Sequence, residues 1–282
     1  MGNESTQSKW TGWHSAAVFV ISAGILASGW RLASVSRLWA WLVILILMII
    51  FIVIVGHGVT GLTSGLLIDR RNKMSLSRFQ MILWTVIILS GYFAAALCNL
   101  SEAYDDPLSI ALQPMLWTLM GISTASLVGS PLIKSTKESK NPDADQKDTA
   151  LQVVATQKGV DTDKLKTSGL GTSGLLMVNT SPDKASLSDM FATEETGNAG
   201  HLDLAKVQMF FFTIVLALSY AVALASMFTE PSRDILELPN LSEGMITLLG
   251  ISHGGYLVNK ATPHSKTETE SSPTDKKDDA QG

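Results

Sequence analysis

A single cysteine, Cys98, stands in the 282 residues of this chain. That excludes an internal disulfide and a cysteine-rich metal centre, and inside an apolar run the residue reads as a small packing group. Charge is scarce as well. Only 16% of residues are charged, against about 25% in an ordinary soluble domain. The scarcity is local: no Lys or Arg occurs from Leu38 to Asp69 or from Phe79 to Ile133, and Arg233 alone interrupts Val207 to Asn259. Long cation-free windows bounded by clustered cations are the pattern of a lipid-spanning chain. The net charge of −4 and the pI near 5.7 give no footing for nucleic acid.

Catalytic and cofactor signatures are missing too. His14, His57, His201, His253 and His264 are scattered, without the spacing of a metal site. Gly169-Leu-Gly171-Thr-Ser-Gly174 spells GxGxxG, but a polar stretch precedes it and the strand-like LLMVNT follows, the reverse of a dinucleotide site. It is expected to be a flexible or hairpin loop. With no Walker lysine, nucleophile elbow or paired intramembrane carboxylates, the sequence predicts no enzyme, cofactor or metal.

What is present is apolar helix. Backbone groups in hydrocarbon must be satisfied internally, so spans should be helices of about 20 residues. Six are expected, near 14–33, 38–57, 79–99, 111–133, 206–228 and 244–260. The first reads as a signal anchor or span rather than a removed peptide, since only Lys9 precedes it and a stronger apolar run follows. Trp10, Trp13, Trp30, Trp39 and Trp41 sit at span edges, where indoles suit the interface. The sixth is short and carries Gly250, Ser252, His253, Gly254 and Gly255 at its middle, which leaves a re-entrant segment open.

Loop 69–78 is basic, loop 98–107 acidic, the segment from Lys134 lysine-containing, and loop 229–243 mostly acidic. The positive-inside rule then places both termini, loop 69–78 and the central segment in the cytoplasm. Arg31 and Arg37, in the short outer loop, run against this alternation.

An internal repeat adds more. Leu76–Leu97 (LSRFQMILWTVIILSGYFAAAL) and Leu204–Ala225 (LAKVQMFFFTIVLALSYAVALA) align without gaps, sharing Gln80-Met81 with Gln208-Met209, Thr85 with Thr213 and Tyr92 with Tyr220. TLMGIS from Thr118 matches TLLGIS from Thr247 one helix later. Two two-span units with the same orientation follow, and a pseudo-two-fold axis along the membrane normal is expected. Gly121, Ala125 and Gly129, and likewise Gly250 and Gly254, recur every fourth residue, a helix-packing spacing. Gln80, Gln208, Ser123, Ser252, His253 and His57 are the candidate intramembrane polar residues. For Arg78 and Lys206 with their neighbouring glutamines, headgroup anchoring is the ordinary reading and a bond to a partner helix or solute the sharper one. The second copy has His253 where the first has Thr124.

The fold class expected is therefore an all-α integral membrane protein of about six transmembrane helices, including two tandem parallel-related helical hairpins, with a small, mostly disordered cytoplasmic insert. Its parts are an N-terminal helix pair (1–68), a first hairpin (69–133), the insert (134–203), a second hairpin (204–262) and a disordered tail (263–282). Within the insert, 134–150 is expected to be a disordered linker, Leu151–Thr156 and Leu175–Thr180 short β-runs, and the stretch around Leu187, Met190 and Phe191 an amphipathic segment.

SLSRFQMILWT, TGN-GHLDL-KVQMFFFT and LLGISHGGYL together resemble a group of multi-pass bacterial inner-membrane proteins with tandem hairpins. The likeness covers residues 65 to 265 and implies a location but no activity. Two functional expectations remain. One is a non-enzymatic oligomeric scaffold or anchor that sits in the lipid bilayer, associates with copies of itself and engages a cytoplasmic protein through the insert. The other is an ion channel or small-solute transporter with its pathway between the hairpins.

Overall fold

The computed structural model describes residues 9–157, 159, 169–230 and 234–268. Seven α-helices dominate them: α1 (Gly12–Ala33), α2 (Arg37–Thr60), α3 (Leu76–Ser101), α4 (Pro114–Glu138), α5 (Ala144–Gln157), α6 (Leu204–Thr229) and α7 (Glu243–Ala261). Five of them, α1 to α4 and α6, are long and apolar enough to cross a membrane, consistent with an all-α membrane protein. Helix α7 runs unbroken through Gly250, Gly254 and Gly255, although it falls outside that apolar set.

Each boundary has a local cause. Helix α2 stops at Gly61, whose φ of 76° lets its N–H return to the His57 carbonyl. The side chain of Asp203 caps α6 by accepting from the Lys206 N–H. Phe19, Val20, Ile46 and Ile50 of α1 and α2 point outward, as apolar residues do when lipid rather than protein is their neighbour.

Helices α3, α4, α6 and α7 form the core bundle, with α2 packed on α3 and α6. Trp84, Leu119, Tyr220, Leu224 and Leu249 fill its interior. Helix α3 approaches α6 closely at Gly91, where an added Cβ would lie 3.0 Å from a Leu224 methyl. The neighbours run α3–α4–α7–α6, so the hairpins lie alongside each other, α3 on α6 and α4 on α7. A pseudo-two-fold axis along the normal would instead set α3 on α7 and α4 on α6, and that expectation is corrected here. At the acidic end the two interhelical loops are tied together. Asn99 accepts from the Ile235 N–H and donates to its carbonyl, both at 2.9 Å, and the Ala111 N–H reaches the Leu236 carbonyl at 2.7 Å. Arg37, the charge that runs against the alternation, lies 3.8 Å from Glu102 in that acidic loop.

The insert departs most from expectation. Helix α4 continues to Glu138 and α5 covers Ala144–Gln157, so 134–150 is not a disordered linker and Leu151–Thr156 is helix, not strand. Asp143 starts α5 by accepting from the Gln146 N–H at 2.9 Å, and Ala150 and Leu151 then pack on Met177 and Ala199. The glycine-rich stretch is itself a strand: β1 (Leu170–Ser173) pairs antiparallel with β2 (Leu176–Asn179). Gly174 at their turn has φ 56°, and a Cβ there would strike the Lys137 and Glu138 carbonyls at the end of α4. The expected amphipathic stretch is a short 3₁₀ turn, Leu187–Met190. Its Met190 is buried with Leu76, Met209 and Tyr256 while Leu187 stays exposed.

The tail boundary moves as well. His264 N–H reaches Glu195 at 3.0 Å, Ser265 is buried beside Thr196, and Lys266 N–H meets Gln146 at 2.8 Å. Ordered chain thus continues to 268. The expectation for 269–282 lies outside the described residues, as does that for 161–168 before the glycine-rich stretch.

Candidate functional site

At the basic end of the bundle, the insert lowers two glutamates, Glu194 and Glu195, onto the helix termini. Glu194 Oε1 lies 3.0 Å from Lys206 of α6, 3.1 Å from Arg71 of the loop before α3 and 3.4 Å from Lys134 of α4. Its Oε2 lies 2.7 Å from Lys260 of α7. Asp69 adds a second carboxylate, 2.9 Å from both Arg71 and Lys134. Beside them Lys137 pairs with Glu195 and donates to the Lys260 and Thr262 carbonyls at 2.5 and 2.8 Å.

The cations are buried and Asp69 and Glu194 mostly so, at 13% and 15% exposed, so each charge must be matched locally. Burial by itself raises a carboxyl pKa. At Glu194 the attraction of Arg71 and Lys134, then Lys206 and Lys260, outweighs burial and holds its carboxyl well below the usual range. At Asp69 the same opposition is won by Lys134 and Arg71, and its pKa is lowered. Burial pulls Arg71 down, but Glu194 and Asp69 raise it beyond its ordinary value. Four formally positive groups, Arg71, Lys134, Lys206 and Lys260, thus face two carboxylates, Asp69 and Glu194. A small cleft of about 30 Å³ opens on the insert side of the cluster, lined by Lys206, Lys260, Glu194 and Asn259 among others.

The ladder continues into the bundle. Lys260 donates to the Tyr256 hydroxyl at 2.6 Å. One turn back along α7, His253 Nδ1 is 2.5 Å from Ser126 Oγ of α4, and its Nε2 is 3.3 Å from Gln80 Nε2 of α3. Gln80 Nε2 also donates to Thr213 Oγ1 of α6 at 2.6 Å. If the Gln80 amide donates, His253 Nε2 accepts and Nδ1–H donates to Ser126, which assigns the neutral imidazole. Side chains from all four core helices thus meet at one buried node. Around them, Gln80 Oε1, Ser123 Oγ, Ser252 Oγ, Trp84 Nε1 and Tyr220 OH are buried without a hydrogen-bond partner among the described residues.

The sequence-derived candidates divide. Gln80 and His253 join the node, and Ser123 of α4 and Ser252 of α7 are buried as well. Gln208 is exposed and takes no part, so the two copies are inequivalent at this position. His57 belongs elsewhere: its Nδ1 lies 3.0 Å from His14 Nε2, joining the end of α2 to the start of α1 beside Trp10 and Trp13. Of the packing glycines, Gly129 faces Leu257 at 3.6 Å and Gly250 faces Ile122 at 3.4 Å, so both serve the α4–α7 contact. Gly121 and Gly254 meet nothing within 4 Å, and Ala125 is exposed; these three do not pack helices within one chain. Lys206 is an ion-pair partner rather than a headgroup anchor, and Arg78 donates to the Ile68 carbonyl at 2.7 Å. Among the described residues no group of three or more His, Cys, Asp or Glu could hold a metal ion.

Sequence reading missed Glu194, Asp69, Lys134, Thr213, Ser126 and the His14 partner. One signal was available: Arg71, Lys134, Lys206 and Lys260 all fall at the same end of the four core helices, which asks for a counter-charge. No protein-family model, curated protein or solved structure matches this chain.

Proposed function

We propose that this chain is a non-enzymatic membrane scaffold whose folded insert is a rigid platform for a protein partner on the basic, cytoplasmic side of a bacterial inner membrane. One observation carries the reading: Glu194 of the insert is ion-paired to cations from the ends or flanking loop of all four core helices. Such a clamp fixes helices to one another and the insert to the helices, because separating any element strands a buried charge. The Gln80–Thr213–His253–Ser126 node joins the same helices a second time. A moving transporter has to break and remake such ties, whereas a platform gains definition from them. Leu187 and Leu202 stand exposed on the outer surface of the insert, where a partner can reach them.

A photo-crosslinker at Leu202 of the full-length protein in native membranes tests this. The expected result is one discrete adduct, lost in a Leu187→Glu variant, with proteoliposomes carrying no more ion flux than empty vesicles. Flux that disappears on His253→Ala would overturn it. That outcome belongs to a second reading, a solute pathway between the hairpins. Its support is the set of unpartnered polar atoms around the node, Gln80 Oε1, Ser123 Oγ and Ser252 Oγ, which have hydrogen-bonding capacity for water or a polar solute.

A further inference from the structure

Beside the charge cluster, a groove of about 650 Å³ runs between the start of α3 and the end of α4. Its upper part is basic, with Arg70, Arg71, Arg78 and Lys134; its lower wall is apolar, with Met81, Ile82, Leu127, Pro131 and Leu132. We propose that this groove binds the phosphate headgroup of an anionic phospholipid, with an acyl chain along the α3–α4 wall.

Four independent features meet here. The buried cluster holds four cations against two carboxylates, and Arg71 and Lys134 of that cluster line the groove. Two donors that line it lack partners among the described residues: Ser77 Oγ, whose residue is 3% exposed, and Arg71 Nη1, whose residue is 4% exposed. A buried donor without an acceptor is costly, and phosphate oxygens supply acceptors. The groove lies at the N-terminus of α3, where Ser75 makes no side-chain cap bond, so the first N–H groups of the helix remain available to an anion. Asp69 and Glu138 also line the groove. Asp69 is already matched by Arg71 and Lys134, and Glu138 stands exposed at the far end of α4. Free phosphate would answer the basic part alone. The apolar wall continues down two helices long enough to span a membrane, and a basic pocket above an apolar helix crevice is the form that anionic lipid headgroups occupy.

The full-length protein, purified in detergent and stripped of lipid, is offered phosphatidylglycerol, phosphatidylcholine or inorganic phosphate, and retention is read by native mass spectrometry. At about 1 kcal/mol per basic residue near a headgroup, the two excess charges correspond to phosphatidylglycerol held about thirtyfold more tightly than phosphatidylcholine. Arg70→Gln, on an exposed side chain that the fold does not use, should weaken that preference about fivefold. Ser77→Ala should weaken it too, by removing one donor. Equal retention of the two lipids would overturn the proposal, as would a preference unchanged in both variants. Inorganic phosphate displacing phosphatidylglycerol at matched concentration would reduce the site to a bare anion site and equally overturn it.

Discussion

Replacing Glu194 with glutamine removes one negative charge while keeping the shape and one acceptor of the side chain. Four cations then face Asp69 alone. Bare attraction at 3 Å with an effective dielectric near 20 is about 5 kcal/mol per pair, but the desolvation already incurred offsets most of it. The relevant magnitude is that of stranding one side of a buried ion pair, about 3–5 kcal/mol. With all four partners within 3.4 Å, Glu194 belongs at the upper end of that range. For a chain of this size each kcal/mol moves the midpoint by about 2–4 °C, so thermal unfolding of E194Q in detergent, followed by intrinsic fluorescence, should shift down by about 10 °C or more. Asp183→Asn is the control, because Asp183 and its partner Lys184 are both exposed, and it should leave the midpoint unchanged.

Acidity supplies a second readout on the same residue. The folded-state pKa of Glu194 lies well below its ordinary value of 4.5. The unfolded chain therefore takes up the proton first as pH falls. The stabilisation from this group is complete above pH about 4.5, declines below it, and is gone once pH passes below the folded-state pKa. Wild-type protein should lose stability more steeply with acid than E194Q over that window. A midpoint shift under about 2 °C, or parallel acid profiles, would refute the claim that Glu194 holds the helix ends together.

Three further outcomes are expected. Gln80→Ala and Thr213→Val should each destabilise by about 1–2 kcal/mol, and the double-mutant cycle measured by unfolding in detergent should return a coupling near 0.6–1.7 kcal/mol; additivity would show that the 2.6 Å bond is not formed. Gly174→Ala should loosen the insert, since a left-handed φ costs a Cβ-bearing residue about 1–2 kcal/mol and the α4 carbonyls occupy the space. Faster limited proteolysis within 134–203, with the spans intact, is the readout. Gly129→Leu should disturb the α4–α7 contact and lower thermal stability, whereas Gly121→Leu should leave the monomer as stable as before. If copies of this chain associate through the open face of α4, Gly121→Leu should also lower the crosslinked dimer fraction.

The membrane helices were legible because hydropathy is a property of contiguous residues. A run such as LWAWLVILILMIIFIVIV needs no partner to declare itself, and α2 falls within three residues of the expected bounds at each end. The insert failed for the opposite reason. ADQKDTALQVVATQ has polar residues on most positions, and only Ala150 and Ala155 are buried. Its helix depends on a small apolar contact with Met177 and Ala199, residues 23 to 49 positions further on, which no local window contains. Gly174 was equally opaque: its need for glycine is set by the carbonyls of Lys137 and Glu138, and nothing in GLGTSG shows that the end of α4 lies against it.

The candidate site divides along the same line, between properties of one helix and relations between several. Gln80 and His253 could be singled out because a polar side chain in an apolar stretch is anomalous where it stands. Thr213 and Ser126 could not, because a hydroxyl is ordinary in a membrane helix and acquires meaning only when Gln80 and His253 arrive from other helices. Glu194 lies 123 residues from Arg71 and 66 from Lys260, and in sequence it is one acid in the hydrophilic stretch ATEETGN. The repeat misled at one point for the same reason: aligned residues were expected to play aligned parts, yet Gln80 is buried against Thr213 while its counterpart Gln208 is exposed. Side-by-side packing of the hairpins accounts for this. An equivalent rotation would give both glutamines the same surroundings, whereas lateral packing gives each hairpin one inner and one outer flank, so Gln80 looks inward while Gln208 looks out. The asymmetry of His253 against Thr124 has the same origin: His253 is turned into the bundle, and Thr124 is exposed. Whatever the origin of the matching segments, the lateral stacking of the helices decides which of each pair of aligned polar residues serves the interior.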